Sequence, residues 1–113
     1  MDVQIRPDGK ERFIVSCPNQ MEWRARVDLV KALKDVTLGV PFKGLIVDLD
    51  GVTYINSAGL GAIFALRKFA RDSGAEVVVS RPSVSVTRLL ETINLQKLMP
   101  ITATIDEART KLS

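Results

Sequence analysis

The residues with the most chemistry to offer lie in one stretch, Asp50-Gly51-Val52-Thr53-Tyr54-Ile55-Asn56-Ser57-Ala58-Gly59-Leu60-Gly61. It follows an apolar, strand-like run and leads into a helix-like one. Ser57 therefore falls at a strand-to-helix corner, on or beside the first free backbone N–H groups of a helix. Such a corner favours a negative group. A hydroxyl placed there can cap the helix, act as a nucleophile or accept a phosphate.

Nucleophilic catalysis is tested by what surrounds the serine. A serine nucleophile needs a base within hydrogen-bond reach. The chain has no histidine, which removes Ser-His and Cys-His arrangements and the commonest metal ligand. Leu60 stands where a Ser-x-x-Lys pattern needs its lysine. Gly59-Leu60-Gly61 lacks the Gly-Lys-Ser/Thr ending of a phosphate loop, and Phe64 occupies the third glycine position of GxGxxG. No enzyme activity, cofactor or metal is expected, although a carboxylate-only magnesium site through Asp48 and Asp50 stays open in principle.

A cap and a contact surface remain. Asn56 and Ser57 are both good N-caps, each able to stabilise a helix by ~1 kcal/mol, so two in succession are partly redundant. Gly59 and Gly61 weaken the first helical turns by roughly 1 kcal/mol each relative to alanine, and small residues there leave room for another protein to approach. Trp23, the only tryptophan, is expected to anchor the core or a helix start, or else to meet a partner at the same end as Ser57.

The elements that position this corner follow from hydrophobic period. Val3 to Arg6 reads as a strand, Pro7-Asp8-Gly9 as a turn and Arg12 to Cys17 as a second strand, giving an antiparallel hairpin. Pro18-Asn19-Gln20 interrupts the chain. From Glu22 to Leu38 apolar residues recur at Ala25, Leu29, Ala32 and Val36, widened by Val30 and Leu33, which predicts an amphipathic helix ended by Gly39 and Pro41. Gly44 to Leu49 is nearly continuous in apolar character, as a strand covered on both faces requires. Ala58 to Ser73 predicts a second helix with Leu60, Ile63, Phe64 and Ala70 inward. Glu76 to Ser80 is a strand, and Ser83 or Ser85 caps a short helix carrying Val86, Leu89, Leu90 and Ile93. A weak strand at Met99 to Thr102 and a helix from Asp106 to Leu112, with Thr104 as cap, complete a β-β-α-β-α-β-α-β-α order. This predicts a single α/β domain over residues 1–113, with a mostly parallel central sheet and an antiparallel first strand.

Composition agrees with one core. The chain has 113 residues, 46% hydrophobic and 26% charged, ordinary for a globular domain. The net charge of +3 comes from scattered residues, and Arg67-Lys68 with Arg71 reads as a solvated helix face, so nucleic-acid binding is not expected. No run is long enough to span a bilayer, and the N-terminus lacks a signal-peptide pattern. A cytoplasmic protein without membrane attachment is expected. Cys17, the single cysteine, permits no internal disulfide and reads as a half-buried structural thiol.

Tyr54-Ile55-Asn56-Ser57-Ala58-Gly59-Leu60-Gly61 resembles the signature of the STAS domain family of bacterial anti-sigma factor antagonists. That signature is an aspartate or asparagine, a phosphorylatable serine, a small or hydroxyl residue, glycine and leucine. Ser83-Val84-Ser85-Val86-Thr87-Arg88-Leu89-Leu90 resembles the family's next helix, and the likeness extends over roughly Lys43 to Ile105. Asn56 stands where the best-known phosphorylated members carry aspartate. The resemblance implies binding to an anti-sigma factor that is also a serine kinase, release of the sigma factor, phosphorylation of Ser57 and resetting by a PP2C-type phosphatase. Partner contacts are expected at Asn56, Ser57, Ala58, Gly59 and Leu60 of this signature, with Trp23 added because tryptophan is enriched at interface hot spots, in a monomer or weak dimer. Other STAS modules imply a non-phosphorylated adaptor that binds an ABC-transporter ATPase or a stress-signalling assembly, and in a plain scaffold Ser57 would only cap. The resemblance also leaves nucleotide binding open, but no phosphate loop supports it here.

Overall fold

The apolar run Gly44–Asp48 takes the middle of the sheet, and every residue in it is buried. In the computed structural model, which describes residues 4–113, five strands lie in the order β1-β2-β4-β6-β7. They are β1 (Gln4–Asp8), β2 (Arg12–Ser16), β4 (Gly44–Asp48), β6 (Glu76–Ser80) and β7 (Ile101–Thr102). β1 pairs antiparallel with β2, and every later pair is parallel. Helices α1 (Trp23–Thr37), α2 (Ser57–Asp72) and α3 (Val84–Thr92) make the crossovers, and α4 (Ile105–Leu112) closes the chain. The expected α/β architecture is the observed one. Val3, expected to open the first strand, lies outside the described residues.

Strand alternation divides the core in two. Val15, Leu45, Val47, Val77 and Val79 face the large cluster that α1, α2 and α3 complete through residues such as Leu29, Ile63, Leu66 and Leu90. Ile14, Ile46 and Val78 point to the other face, where Ala108 of α4 covers them with help from Ile105 and Leu112. An ion-pair cluster fastens α4 there. Arg109 Nη2 lies 2.8 Å from Asp8 Oδ1, and Arg12 Nε lies 3.0 Å from Asp8 Oδ2. The Arg109 hydrogen bond holds the Asp8 carboxyl below its ordinary value of 3.8, against the desolvation that burial brings, and Arg12 adds to the effect.

Several local expectations are corrected. The first turn falls at Gly9, not at Pro7-Asp8-Gly9: Pro7 and Asp8 pair with Phe13 and Arg12 inside the ladder. β1 is an edge strand, where a missing proline N–H faces no partner, and Gly9 supplies the positive φ of 71° that the turn needs. On α1 the buried row is Ala25, Leu29, Leu33 and Thr37. Val36 is 40% exposed, because an i, i+4 row keeps to the face that packs on the sheet. The buried Thr37 hydroxyl donates to the Leu33 carbonyl at 2.7 Å. On α2 Phe64 faces outward, 38% exposed, while Gly59, Ala62, Ile63, Leu66 and Ala70 form the buried side. On α3 Ile93 is likewise on the surface.

Two further strands were not expected. β3 (Gln20–Met21) and β5 (Tyr54–Ile55) form a separate two-stranded parallel sheet. Two residues are too few to carry a period, so no pattern marks them. They matter because they set the corner at Ser57.

Candidate functional site

The corner is built from the loop after β4 and the loop after β2. Asn19 O accepts hydrogen bonds from the Thr53 amide at 2.8 Å and the Thr53 hydroxyl at 3.2 Å. Met21 O accepts from the Asn56 amide at 3.1 Å. Ile55 and Met21 are buried in the large core cluster, so both loops are pinned from below. Asn56 then caps α2: its extended backbone ends the strand, and its Oδ1 accepts from the Gly59 amide at 2.9 Å. Of the two expected caps, asparagine takes the role.

Ser57 is the first helical residue of α2 and is exposed. Among the described residues its hydroxyl has no hydrogen-bond partner. First-turn amides have no acceptor within their own helix, so a charge on Ser57 Oγ would sit against the positive end of the helix dipole.

The two glycines of the first turns differ in purpose. Gly59 is buried, and a Cβ there would overlap the Met21 carbonyl oxygen and come within 2.8 Å of Met21 Cβ. It is small because the chain's own β3 backbone crosses it, which corrects the reading that space at Gly59 is kept for another protein. Gly61 is open: a Cβ there would meet only Arg26 Nη1, at 3.5 Å. Ala58 is partly buried, and Leu60 packs against the core cluster.

Trp23 is no core anchor. It begins α1, lies 64% exposed and has the Arg24 guanidinium 5.5 Å from its ring centre. Tyr54 at the corner is 48% exposed. Sequence pattern offered no signal for Tyr54, because its exposure depends on the short β3-β5 pairing.

The carboxylates after β4 form a second device. Asp48, 3% exposed, takes a two-pronged contact from Arg81, with Nε at 3.1 Å from Oδ1 and Nη2 at 2.7 Å from Oδ2. The Asp50 amide also donates to Asp48 Oδ1. The hydrogen bond to Asp48 raises the Arg81 pKa above its ordinary value, against burial. Arg81 holds a positive φ of 59° to make this contact. The Asp48 charge is thus met by arginine, and no group of three or more metal-ligating side chains occurs among the described residues. Beside it a polar depression of about 510 Å³ is lined by Cys17, Pro18, Asn19, Gln20, Glu22, Asp50 and Gly51. Cys17 is buried, not half-buried. Burial, then the Asp48 charge, pushes its thiol up to about 12, so it stays protonated at neutral pH.

The arrangement defines a class: a layered α/β module with a surface hydroxyl at a helix start. The family model of the STAS domain matches residues 5–108, and the chain belongs to that family, which is non-enzymatic. The fold is shared with the Thermotoga maritima protein TM1081, at 24% identity over 97% of this chain and 93% of that one, with a TM-score of 0.81, and with an anti-sigma factor antagonist from Mycobacterium paratuberculosis, at 21% identity over 98% and 92% of the two chains, with a TM-score of 0.76. It is also shared with the Bacillus cell fate determinant SpoIIAA in its phosphorylated form, at 15% identity over 99% and 100% of the two chains, with a TM-score of 0.71. The mouse solute carrier 26 family member A9 anion transporter contains the fold as well, at 16% identity over 94% of this chain and 18% of that one, with a TM-score of 0.77. At these identities the likeness is one of fold. Among the described residues no helix is long and apolar enough to cross a membrane.

Proposed function

We propose that this STAS domain is an anti-sigma factor antagonist acting in the cytoplasm, switched off by phosphorylation of Ser57. It binds an anti-sigma factor that is also a serine kinase and thereby frees the sigma factor. The kinase moves the γ-phosphoryl group of ATP to Ser57 Oγ, releasing ADP and the hydroxyl proton, and the complex parts. A PP2C-type phosphatase restores the hydroxyl by hydrolysis. The observation that carries this reading is the division of labour at the corner: Asn56 caps α2, and the Ser57 hydroxyl is exposed and has no partner among the described residues.

The physics of the switch is local. A phosphate adds about −1.5 to −2 charge at neutral pH. At a helix start that charge is compatible with the fold, whereas an interface that accepted a neutral hydroxyl loses both space and desolvation energy. The partner-facing set is Asn56, Ser57, Ala58, Leu60 and Trp23. Gly59, expected in this set for its small size, is buried against Met21 and is left out of it. The existence of a Bacillus relative in a phosphorylated form supports the chemistry.

The test uses three tagged baits, wild type, Ser57→Ala and Ser57→Asp, in lysate of the source organism, with captured proteins identified by mass spectrometry. Wild type and Ser57→Ala are expected to hold a kinase-type ATPase that Ser57→Asp releases by at least about tenfold, the size expected for a charge brought into a desolvated contact. Capture of a transporter ATPase, or equal capture by all three baits, contradicts the switch and favours the constitutive adaptor.

A further inference from the structure

The chain's positive charge is concentrated on one layer. α1 and α2 hold seven of the sixteen basic residues but three of the thirteen acidic ones, a net +4 on two helices of a chain that is +3 in all. A groove of about 420 Å³ runs between them. Its apolar lining is Val30, Phe64, Ala65 and Phe69, and its cationic lining is Arg26, Lys34 and Lys68. A second depression continues it past Val27 and Lys31, with Asp35 as the one carboxylate among its lining residues. Lys68 is paired with Asp72 at 2.9 Å. Among the described residues Arg26, Lys31 and Lys34 have no carboxylate within ion-pair distance. Lys34 instead sits 5.9 Å from the Phe69 ring centre.

Helical register joins this groove to the corner. Ser57, Gly61, Phe64 and Lys68 recur at i, i+4, i+7 and i+11 along one row of α2. Trp23, Arg26, Val30 and Lys34 make the matching row of α1. Both helices are crossovers between parallel strands, so they run in the same direction and start at the same end of the sheet. The groove therefore leads away from Ser57 and Trp23. Gly61, open at its near end, keeps it clear of a side chain.

We propose that the α1–α2 groove docks an acidic amphipathic helix of the same protein partner that contacts Ser57. This deepens the antagonist reading and rests on it for the occupant being a protein. Two adjacent helix cylinders leave a channel into which a third cylinder fits. An apolar stripe on that helix would cover Val27, Val30, Phe64 and Phe69, and flanking Asp or Glu residues would meet Arg26, Lys31 and Lys34. This is the helix-in-groove mode of recognition. A flat lipid surface would reach the cationic rims but not the apolar lining between them.

The test titrates the isotope-labelled full chain with a synthetic helical peptide carrying a leucine stripe and glutamate flanks, followed by NMR. Saturable shifts are expected along α1 and α2, at Val27, Val30, Gly61 and Phe64. Affinity should fall at least about tenfold in Arg26→Glu/Lys34→Glu, whose side chains are exposed, and the Ser57→Asp protein should bind within about fivefold of wild type, because screening shortens the reach of its charge. Three results overturn the proposal: no saturable shift, equal binding of a lysine-flanked peptide, or shifts of these amides with phosphatidylglycerol vesicles but not with the peptide. The two readings fail separately. A captured kinase that ignores Arg26→Glu/Lys34→Glu but is lost with Ser57→Asp sinks the groove alone. A partner lost with the groove variant yet held by Ser57→Asp sinks the switch alone.

Discussion

Two serines stand at equivalent corners of this molecule, each opening a helix beyond a parallel strand, and the fold uses them in opposite ways. At the start of α3, Ser83 is itself the cap: its Oγ accepts from the Val86 amide at 3.2 Å. At the start of α2, Asn56 has taken the cap, and Ser57 is moved one residue into the helix, its hydroxyl unengaged among the described residues. Serine at a helix start is therefore not a signal in itself. What frees Ser57 is its neighbour. The corners are also fastened differently. The α2 corner is held by the backbone contact of Gly59 with Met21, and the α3 corner by the Arg81–Asp48 pair just before Pro82 and Ser83.

The largest expected effects come from breaking those fastenings. Gly59→Ala drives a methyl group into the Met21 carbonyl and should cost about 3 kcal/mol or more by urea unfolding. Gly61→Ala, two residues on, meets only ordinary contact and should be neutral or stabilise by up to about 1 kcal/mol. Equal losses at both positions would remove the distinction between them. At the other corner, Arg81→Ala leaves the Asp48 carboxylate buried without its partner and should cost about 3 kcal/mol by the same measurement. A loss below about 1 kcal/mol would mean that water reaches Asp48 freely.

The caps give a finer comparison. Asn56→Ala and Ser83→Ala should each lower stability by about 1 kcal/mol, and Ser57→Ala by no more than a few tenths. A Ser57→Ala loss equal to that of Asn56→Ala would make Ser57 a structural cap and end its claim to be free. Ser57→Asp should melt within about 2 °C of wild type, since the helix dipole accepts the charge.

The smallest effect separates both corners from α4 and is confined to acid. Asp8 has a lowered carboxyl pKa, so its contribution is full above the ordinary value of 3.8 and is lost as the pH falls through the lowered one. Urea midpoints of wild type and Asp8→Asn should converge only below that ordinary value. A gap unchanged down to about pH 2 would mean that the Arg109 and Arg12 contacts contribute nothing through the charge of Asp8.

Much of this was legible in the sequence. The strong runs at Gly44 and Glu76, the two long helices and the cap Thr104 were readable because local period and capping chemistry act within a few residues; between Ser83 and Ser85 the sequence left the cap open, and the fold chose Ser83. The site was legible to the level of Asn56 and Ser57 as candidate caps. Choosing between them required the φ, ψ and hydrogen bonds of the folded corner. The purpose of Gly59 was not legible, because the residue that demands it, Met21, comes from another loop. The Asp48–Arg81 pair spans 33 positions and rests on a positive-φ arginine that no propensity predicts. Phe64 reads as core because it lies next to Ile63. It is on the surface because the packing of α2 against α1 leaves that side of the helix uncovered.

The most direct measurement is phosphate mapping. Wild-type protein is incubated with ATP and the kinase captured by the Ser57→Ala bait, digested, and each phosphorylated residue located by mass spectrometry. A single phosphate on Ser57, with Ser83 and Ser85 unmodified, is the predicted result. Phosphate on Ser83 or Ser85, or none on Ser57 while the kinase stays bound, would contradict the claim that Asn56 frees Ser57 to act as the switch.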